Sequence, residues 1–170
     1  ATQANIATLR ERGCAVVEPG CGRTACGEEG QGRLADLREI YLAGLRALAP
    51  QDMEGIRVMV TLGPTREHWD GLRFWTNPST GTMGAAVAVA AWLRGARVEA
   101  VCGLGTPWLP AGIARHNVGS ARHMLEAAAS VWPQCDAGVF TAAVADFSPV
   151  PPAQGGDKKF KKSDAPDGFD

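Results

Sequence analysis

The chain has 170 residues, 45% of them hydrophobic and 21% charged, with a net charge of −1, which is ordinary for a folded globular protein. So even a balance excludes a global field that would recruit nucleic acid or an acidic membrane, and any anion site has to be local. No apolar run approaches the roughly 18 residues of a membrane span, and the N-terminus has no basic-then-apolar leader. The expectation is a cytoplasmic protein with neither a membrane nor a nucleic-acid partner.

Residues 2–12 carry Ile6 and Leu9 at helical spacing and stop at Gly13, after which Cys14, Ala15, Val16 and Val17 predict a short buried strand. A Gly-rich loop spans 19–32. Asp36 then caps a helix with Glu39 three residues on, and Leu37, Ile40, Tyr41, Leu45 and Leu48 share one face until Pro50. The polar run 50–55 reads as a linker and a domain boundary. Beyond it come strand 56–62, loop 63–80, helix 81–94 closed by Gly95, strand 97–102, a Gly/Pro-rich connection 103–112 and a short strand near 114–118. Ser120 caps a helix running to Trp132 with Met124, Leu125, Ala128 and Val131 inward, and strand 137–140 follows. Strands alternating with helices predict an α/β fold, a Rossmann-like three-layer α/β/α arrangement on a mostly parallel sheet. The Pro/Gly-rich segment 149–170 is expected to be flexible. Cys14, Cys21, Cys26, Cys102 and Cys135 are odd in number and form no C-x-x-C pair, and His68, His116 and His123 lack ligand spacing, so reduced thiols are expected rather than disulfides or a metal centre.

The most informative segment is 63–84, Gly63-Pro64-Thr65-Arg66-Glu67-His68-Trp69-Asp70-Gly71-Leu72-Arg73-Phe74-Trp75-Thr76-Asn77-Pro78-Ser79-Thr80-Gly81-Thr82-Met83-Gly84. A long polar loop between a buried strand and a helix is where α/β proteins place ligands. Gly81 and Gly84 would let a phosphate approach the N–H groups at the helix start; the plain reading is a helix cap supplied by Ser79 or Thr80. No Walker loop and no full G-x-G-x-x-G occurs here. The segment resembles the first motif of the phosphopantothenate–cysteine ligase domain of the bifunctional coenzyme A biosynthesis flavoproteins. Their pattern is Gly-Gly-Thr-x-Glu-x-x-Asp-x-Val-Arg-Phe-x-Ser/Thr-Asn-x-Ser-Ser-Gly-Lys/Arg-Met-Gly. Thr65, Glu67, Asp70, Arg73, Phe74, Asn77, Ser79, Gly81, Met83 and Gly84 match it, whereas Pro64, Leu72, Thr80 and Thr82 depart, the last standing where the family carries a basic residue.

Further motifs extend the resemblance. Ala25-Cys26-Gly27 through Gly30, Gly32, Arg33 and Leu34 is similar to the substrate flap of the family's phosphopantothenoylcysteine decarboxylase, Ala-Cys-Gly-x-x-Gly-x-Gly-Arg-Met, in which the cysteine serves as an acid. Cys26 takes that position; composition alone would make it an exposed thiol in a Gly-rich loop. The decarboxylase's flavin-binding region and catalytic histidine have no counterpart here. The expectation is therefore a decarboxylase remnant over 1–50 joined to the N-terminal part of a ligase over 51–170, with FMN needed only by the missing decarboxylase part. Thr141 to Phe147 resembles Ala-Ala-Val-Ala-Asp-Tyr/Phe, and Lys159-Phe160-Lys161-Lys162 resembles Lys-x-Lys-Lys.

The resemblance implies a site. Gly63, Thr65, Arg73, Ser79, Thr80, Gly81, Met83, Gly84, Ala142, Ala143 and Asp146 would bind nucleotide or substrate. Asn77 and Lys159 would act on the reacting groups, and Mg²⁺ would accompany CTP. Read without it, Asn77 is a turn residue before Pro78, Asp146 a loop-starting cap and the lysines a solvated face. The implied substrates are 4′-phosphopantothenate, CTP and cysteine, in a parent protein expected to be a homo-oligomer; this shorter chain is expected to be weakly active or inactive. Other readings are a non-catalytic nucleotide- or phosphate-binding module and a dehydrogenase, the latter poorly served by a chain whose one tyrosine, Tyr41, starts no Tyr-x-x-x-Lys.

Overall fold

A computed structural model describes residues 2–23, 29–150 and 159. Helix α1 (Thr2–Glu11) leads to irregular backbone over 14–17, not the expected strand. The Gly-rich loop instead holds an antiparallel hairpin, β1 (Gly20–Arg23) with β2 (Glu29–Arg33). The flap residue Cys26 lies outside the described residues. Helix α2 (Leu37–Leu48) starts as expected, with the Asp36 carboxylate accepting from Arg38 N–H at 2.8 Å. The Arg38 guanidinium, which also bonds the carboxylate, and then that backbone bond hold the Asp36 carboxyl down at about 2.

The core is a four-stranded, wholly parallel sheet in the order β7-β6-β3-β8, made of β3 (Arg57–Leu62), β6 (Arg97–Cys102), β7 (Ala114–Asn117) and β8 (Ala137–Phe140). Between β3 and β6 the loop carries a small ribbon, β4 (Glu67–His68) with β5 (Phe74–Trp75), followed by α3 (Thr82–Leu93). Helix α4 (Ala121–Val131) and a short 3-10 turn (Trp132–Gln134) return the chain from β7 to β8.

Alternation along β3 builds two layers. Val58, Val60 and Leu62 join Ala85, Ala88 and Ala91 of α3 on one face. Met59 joins Met124 and Val131 of α4 on the other. Alanine forms helix readily and has no bulk, so α3 lies close on the sheet. Gly84 marks the closest approach: a Cβ there would meet Thr141 Oγ1 at 2.3 Å and Leu62 Cβ at 2.5 Å.

Two burial expectations change. Leu125 of α4 is 69% exposed, because Met124 and Val131 define the inward stripe. The stripe Leu37, Ile40, Tyr41, Leu45 and Leu48 of α2 is also exposed, Leu48 to 86%, while Leu42 is half-buried. Helix α2 docks by its polar groups instead. The Arg46 guanidinium lies over the Trp92 ring and donates to the carbonyl oxygens of Trp92 and Gly95, Arg38 lies over Trp108, and Glu39 accepts from Ala111 N–H at 2.8 Å. The expected linker is equally tied down, since Gln51 donates to Leu93 O and Asp52 pairs with Arg94.

Gly84→Ala should cost about 1–3 kcal/mol through overpacking between α3 and the β3–β8 pair. Urea denaturation of the two proteins side by side checks this, and equal midpoints would mean that the helix can lift from the sheet without penalty.

Candidate functional site

In a parallel sheet, ligands gather where neighbouring strands send their following loops to opposite faces. Here that point lies between β3, whose chain continues into α3, and β8, reached from α4 on the other face. The pairing of these strands runs on beyond their ends: Pro64 bridges Ala143, Ala143 N–H donates to Gly63 O at 2.9 Å and Thr65 N–H to Ala143 O at 3.3 Å. Two motifs nearly eighty positions apart are thus brought side by side.

The loop after β3 folds back over this junction. Asn77 donates from Nδ2 to Val144 O at 2.9 Å, which puts the Asn77 amide beside the segment carrying Ala142, Ala143 and Asp146. Thr65 is fully buried, and its hydroxyl accepts from Ala145 N–H at 2.9 Å. Asp70 is also fully buried; its Oδ1 accepts from the N–H groups of Leu72 and Arg73, and Arg73 pairs with its other oxygen at 3.3 Å. Arg73 therefore fastens the turn between β4 and β5, with its guanidinium 5.4 Å from the centre of the Trp69 ring.

At the start of α3 lies an open cleft of about 460 Å³ lined by Pro78, Ser79, Thr80, Gly81, Thr82, Met83, Gly84 and Thr141. Gly81 takes the cap position at φ 70°, a left-handed conformation that suits glycine, and no side chain caps the helix. Ser79 Oγ accepts from Gly81 N–H at 3.2 Å, while the Thr80 and Thr82 hydroxyls bond each other at 2.7 Å. The described lining is neutral, a set of hydroxyls and backbone groups at the positive end of a helix, which suits an anionic ligand. Gly63, at φ 80°, and Gly81 both abut the Thr106 methyl, where a Cβ would sit within 3.0 Å. Arg115 bonds Thr106 Oγ1 and donates to Pro107 O, fixing that wall.

Asn77, Ser79, Thr80, Gly81, Met83, Gly84, Ala142 and Ala143 are brought to this end of the sheet, with Met83 66% exposed. Asp146 is exposed on the same segment. Lys159 is exposed too, and no described contact joins it to the cleft; the other lysines of its run lie outside the described residues. The sequence reading passed over Thr106, and it quoted Glu67 and Thr141 within the motifs without giving either a role of its own. Thr141, directly after a strand in a motif of small residues, could have been singled out there; the contacts of Glu67 and Thr106 are ones that no local pattern reveals. Among the described residues no group of three or more His, Cys, Asp or Glu could hold a metal ion, and no helix is long and apolar enough to cross a membrane.

The family model described as DNA/pantothenate metabolism flavoprotein C-terminal domain matches residues 53–168. The chain is 42% identical over 168 residues to the coenzyme A biosynthesis bifunctional protein CoaBC of Bacillus subtilis, covering 96% of this chain and 41% of that protein. To the protein of the same description from Mycolicibacterium smegmatis it is 43% identical over 156 residues, covering 88% and 38%. It thus spans about two fifths of the length of these curated relatives. A crystal structure of the C-terminal domain of a CoaBC protein is similar at a TM-score of 0.54 and 43% identity, covering 56% of this chain and 49% of that one. A Cab2 mutant in complex with phosphopantothenate-cysteine shares the fold at a TM-score of 0.54 and 14% identity, covering 76% and 59%.

Thr82→Lys, which sets an ammonium at the first turn of α3, should tighten inorganic pyrophosphate binding by roughly two- to fivefold at low salt, about 0.4–1 kcal/mol. The gain should shrink as ionic strength rises. Isothermal titration at two salt concentrations checks it; an affinity indifferent to the lysine at both would place the anion elsewhere.

Proposed function

Because the chain belongs to the DNA/pantothenate metabolism flavoprotein C-terminal domain family, we propose that it works in coenzyme A biosynthesis as the substrate-binding half of a CTP-dependent phosphopantothenate–cysteine ligase. The observation that carries this reading is the Asn77 to Val144 hydrogen bond across the β3–β8 junction, which joins both ligase-like motifs at the mouth of one anion-friendly cleft.

In this reading the carboxylate of 4′-phosphopantothenate attacks the α-phosphate of CTP, pyrophosphate leaves, and the cysteine amine displaces CMP from the acyl-cytidylate. Such chemistry needs orientation and charge stabilisation more than proton transfer. The N–H groups and hydroxyls from Ser79 to Gly84 bind phosphate oxygens. Asn77, with one N–H held by Val144 O, presents its remaining N–H and its carbonyl oxygen to the acyl group without adding a nucleophile. Ala142 and Ala143 let the nucleotide lie against backbone, Asp146 reads it, and Lys159 closes on the phosphates. Gly63, Thr65 and Arg73 shape the loop that presents these groups. Magnesium would supply charge neutralisation on the triphosphate. The donor set here suits an ion that arrives with the nucleotide and keeps its waters, because such sites need only one or two carboxylates and Asp146 is the exposed one.

The partners proposed are therefore small molecules, in a cytoplasmic and homo-oligomeric parent. FMN chemistry, with Cys26 as its acid, is proposed only for a longer bifunctional protein. No observation favours the dehydrogenase or the non-catalytic module.

Asn77→Asp in the full-length protein should slow cysteine-dependent product formation by about a hundredfold or more, the usual scale for losing an oriented donor, while CTP affinity falls by less than about tenfold. Quenched-flow detection of the acyl-cytidylate separates the two steps. Wild-type product formation would remove Asn77 from the chemistry, and a thermal shift larger for ATP or NAD than for CTP would redirect the nucleotide assignment.

A further inference from the structure

The segment that carries Asp146 is fastened by two buried residues, Thr65, counted above only as shaping its loop, and Glu67, which the ligand chemistry leaves without a task. Thr65 is 0% exposed and its hydroxyl takes the Ala145 N–H at 2.9 Å. Thr76 Oγ1 in turn donates to Thr65 O at 2.7 Å, so Thr65 is held from its own loop. Glu67, on β4, is 6% exposed. One of its carboxylate oxygens takes the Ala121 N–H at the start of α4 at 2.8 Å, and the other takes the Ser148 hydroxyl at 3.3 Å.

A buried carboxylate and a buried hydroxyl are retained in a fold only where hydrogen bonds replace the lost water. Here those bonds land on residues 145 and 148, on either side of Asp146. Asp146 itself is exposed, so its place comes from its backbone rather than from packing. The α4 N-terminus, through Ala121 N–H and the helix dipole, orients the Glu67 carboxylate so that its free edge meets Ser148.

We propose that Thr65 and Glu67 are positioning residues for the nucleotide site: they fix the pitch of residues 143–148 and thereby hold Asp146 beside the Asn77 loop. This rests on the nucleotide reading above. It adds that two buried groups outside the cleft set its affinity, and that α4 and the loop after β3 are locked together through one carboxylate.

The test pairs amide hydrogen exchange with titration of CTP and Mg²⁺ into the full chain. Thr65→Val keeps the volume and removes the hydroxyl, Thr65→Ser restores the hydroxyl, and Ser148→Ala removes the second fastening. Thr65→Val should speed exchange at Ala145 to Asp146 by about tenfold or more while β3 and β6 keep their protection, and should weaken CTP binding at least about fivefold. Thr65→Ser should recover both, a rescue that mere loss of packing would not give. Ser148→Ala should move both in the same direction by less, and it carries the test if the valine variant does not fold. Unchanged exchange overturns the fastening. Faster exchange with unchanged CTP affinity overturns the positioning role. A wild-type chain that binds no CTP overturns the nucleotide reading and the positioning role with it, and is recognised by its failing before any substitution is made.

Discussion

Residues 63–65 are gripped from both sides, and the rest of the molecule is arranged around that grip. On one flank Gly103 N–H donates to Leu62 O and Leu104 N–H to Pro64 O; on the other Ala143 exchanges bonds with Gly63 and Thr65. Backbone can come this near only where side chains are absent, since a Cβ on Gly103 would stand 2.1 Å from Pro64 O and one on Gly63 would stand 2.3 Å from Thr106 Cγ2. Pro64 is admissible at the centre because the neighbouring carbonyls and the Thr65 N–H satisfy both ladders without a donor from residue 64. The loops after three strands are thereby fused into one rigid platform.

Helix α3 transmits this rigidity along its length. Its first turn forms the cleft, with Gly84 pressed on Leu62 and Thr141, and at its far end Arg46 of α2 brings a charged donor to Gly95 O and to Trp92 O, which also accepts from Gly95 N–H at 3.1 Å. Partial burial lowers the Arg46 pKa without discharging a guanidinium. The polar groups of α2 thus serve as its adhesive face, inverting the usual arrangement, and Leu37, Leu45 and Leu48 are left exposed.

The buried polar residues of the 63–84 loop divide the labour with the exposed ones. Thr65, Glu67 and Asp70 are spent on backbone N–H groups of Ala145, Ala121, Leu72 and Arg73, whereas Ser79, Thr80 and Thr82 stay at the open cleft. A motif of this kind mixes residues that build the loop with residues that meet a ligand. Desolvation separates them, because a group without access to water has no route to a solvated anion either.

Apolar runs, helical spacing and breakers gave notice of the strands β3, β6, β7 and β8, the helices α3 and α4, the Asp36 and Ser120 caps and the parallel three-layer architecture, since each follows from local composition and capping chemistry that tertiary contacts reinforce. The same spacing misjudged α2 and Leu125, because an apolar stripe states which face can be buried and not which partner arrives to bury it. Hairpin β1–β2 and ribbon β4–β5 hid inside Gly-rich and polar runs, where short antiparallel pairing depends on turn geometry more than on alternation. At the site, the motif residues were legible as types, but their assembly was not. That Asn77 reaches Val144, that Thr65 is sealed under Ala145 and that Glu67 ties α4 to Ser148 are consequences of strand order, which puts β8 beside β3 across a crossover that no local pattern records.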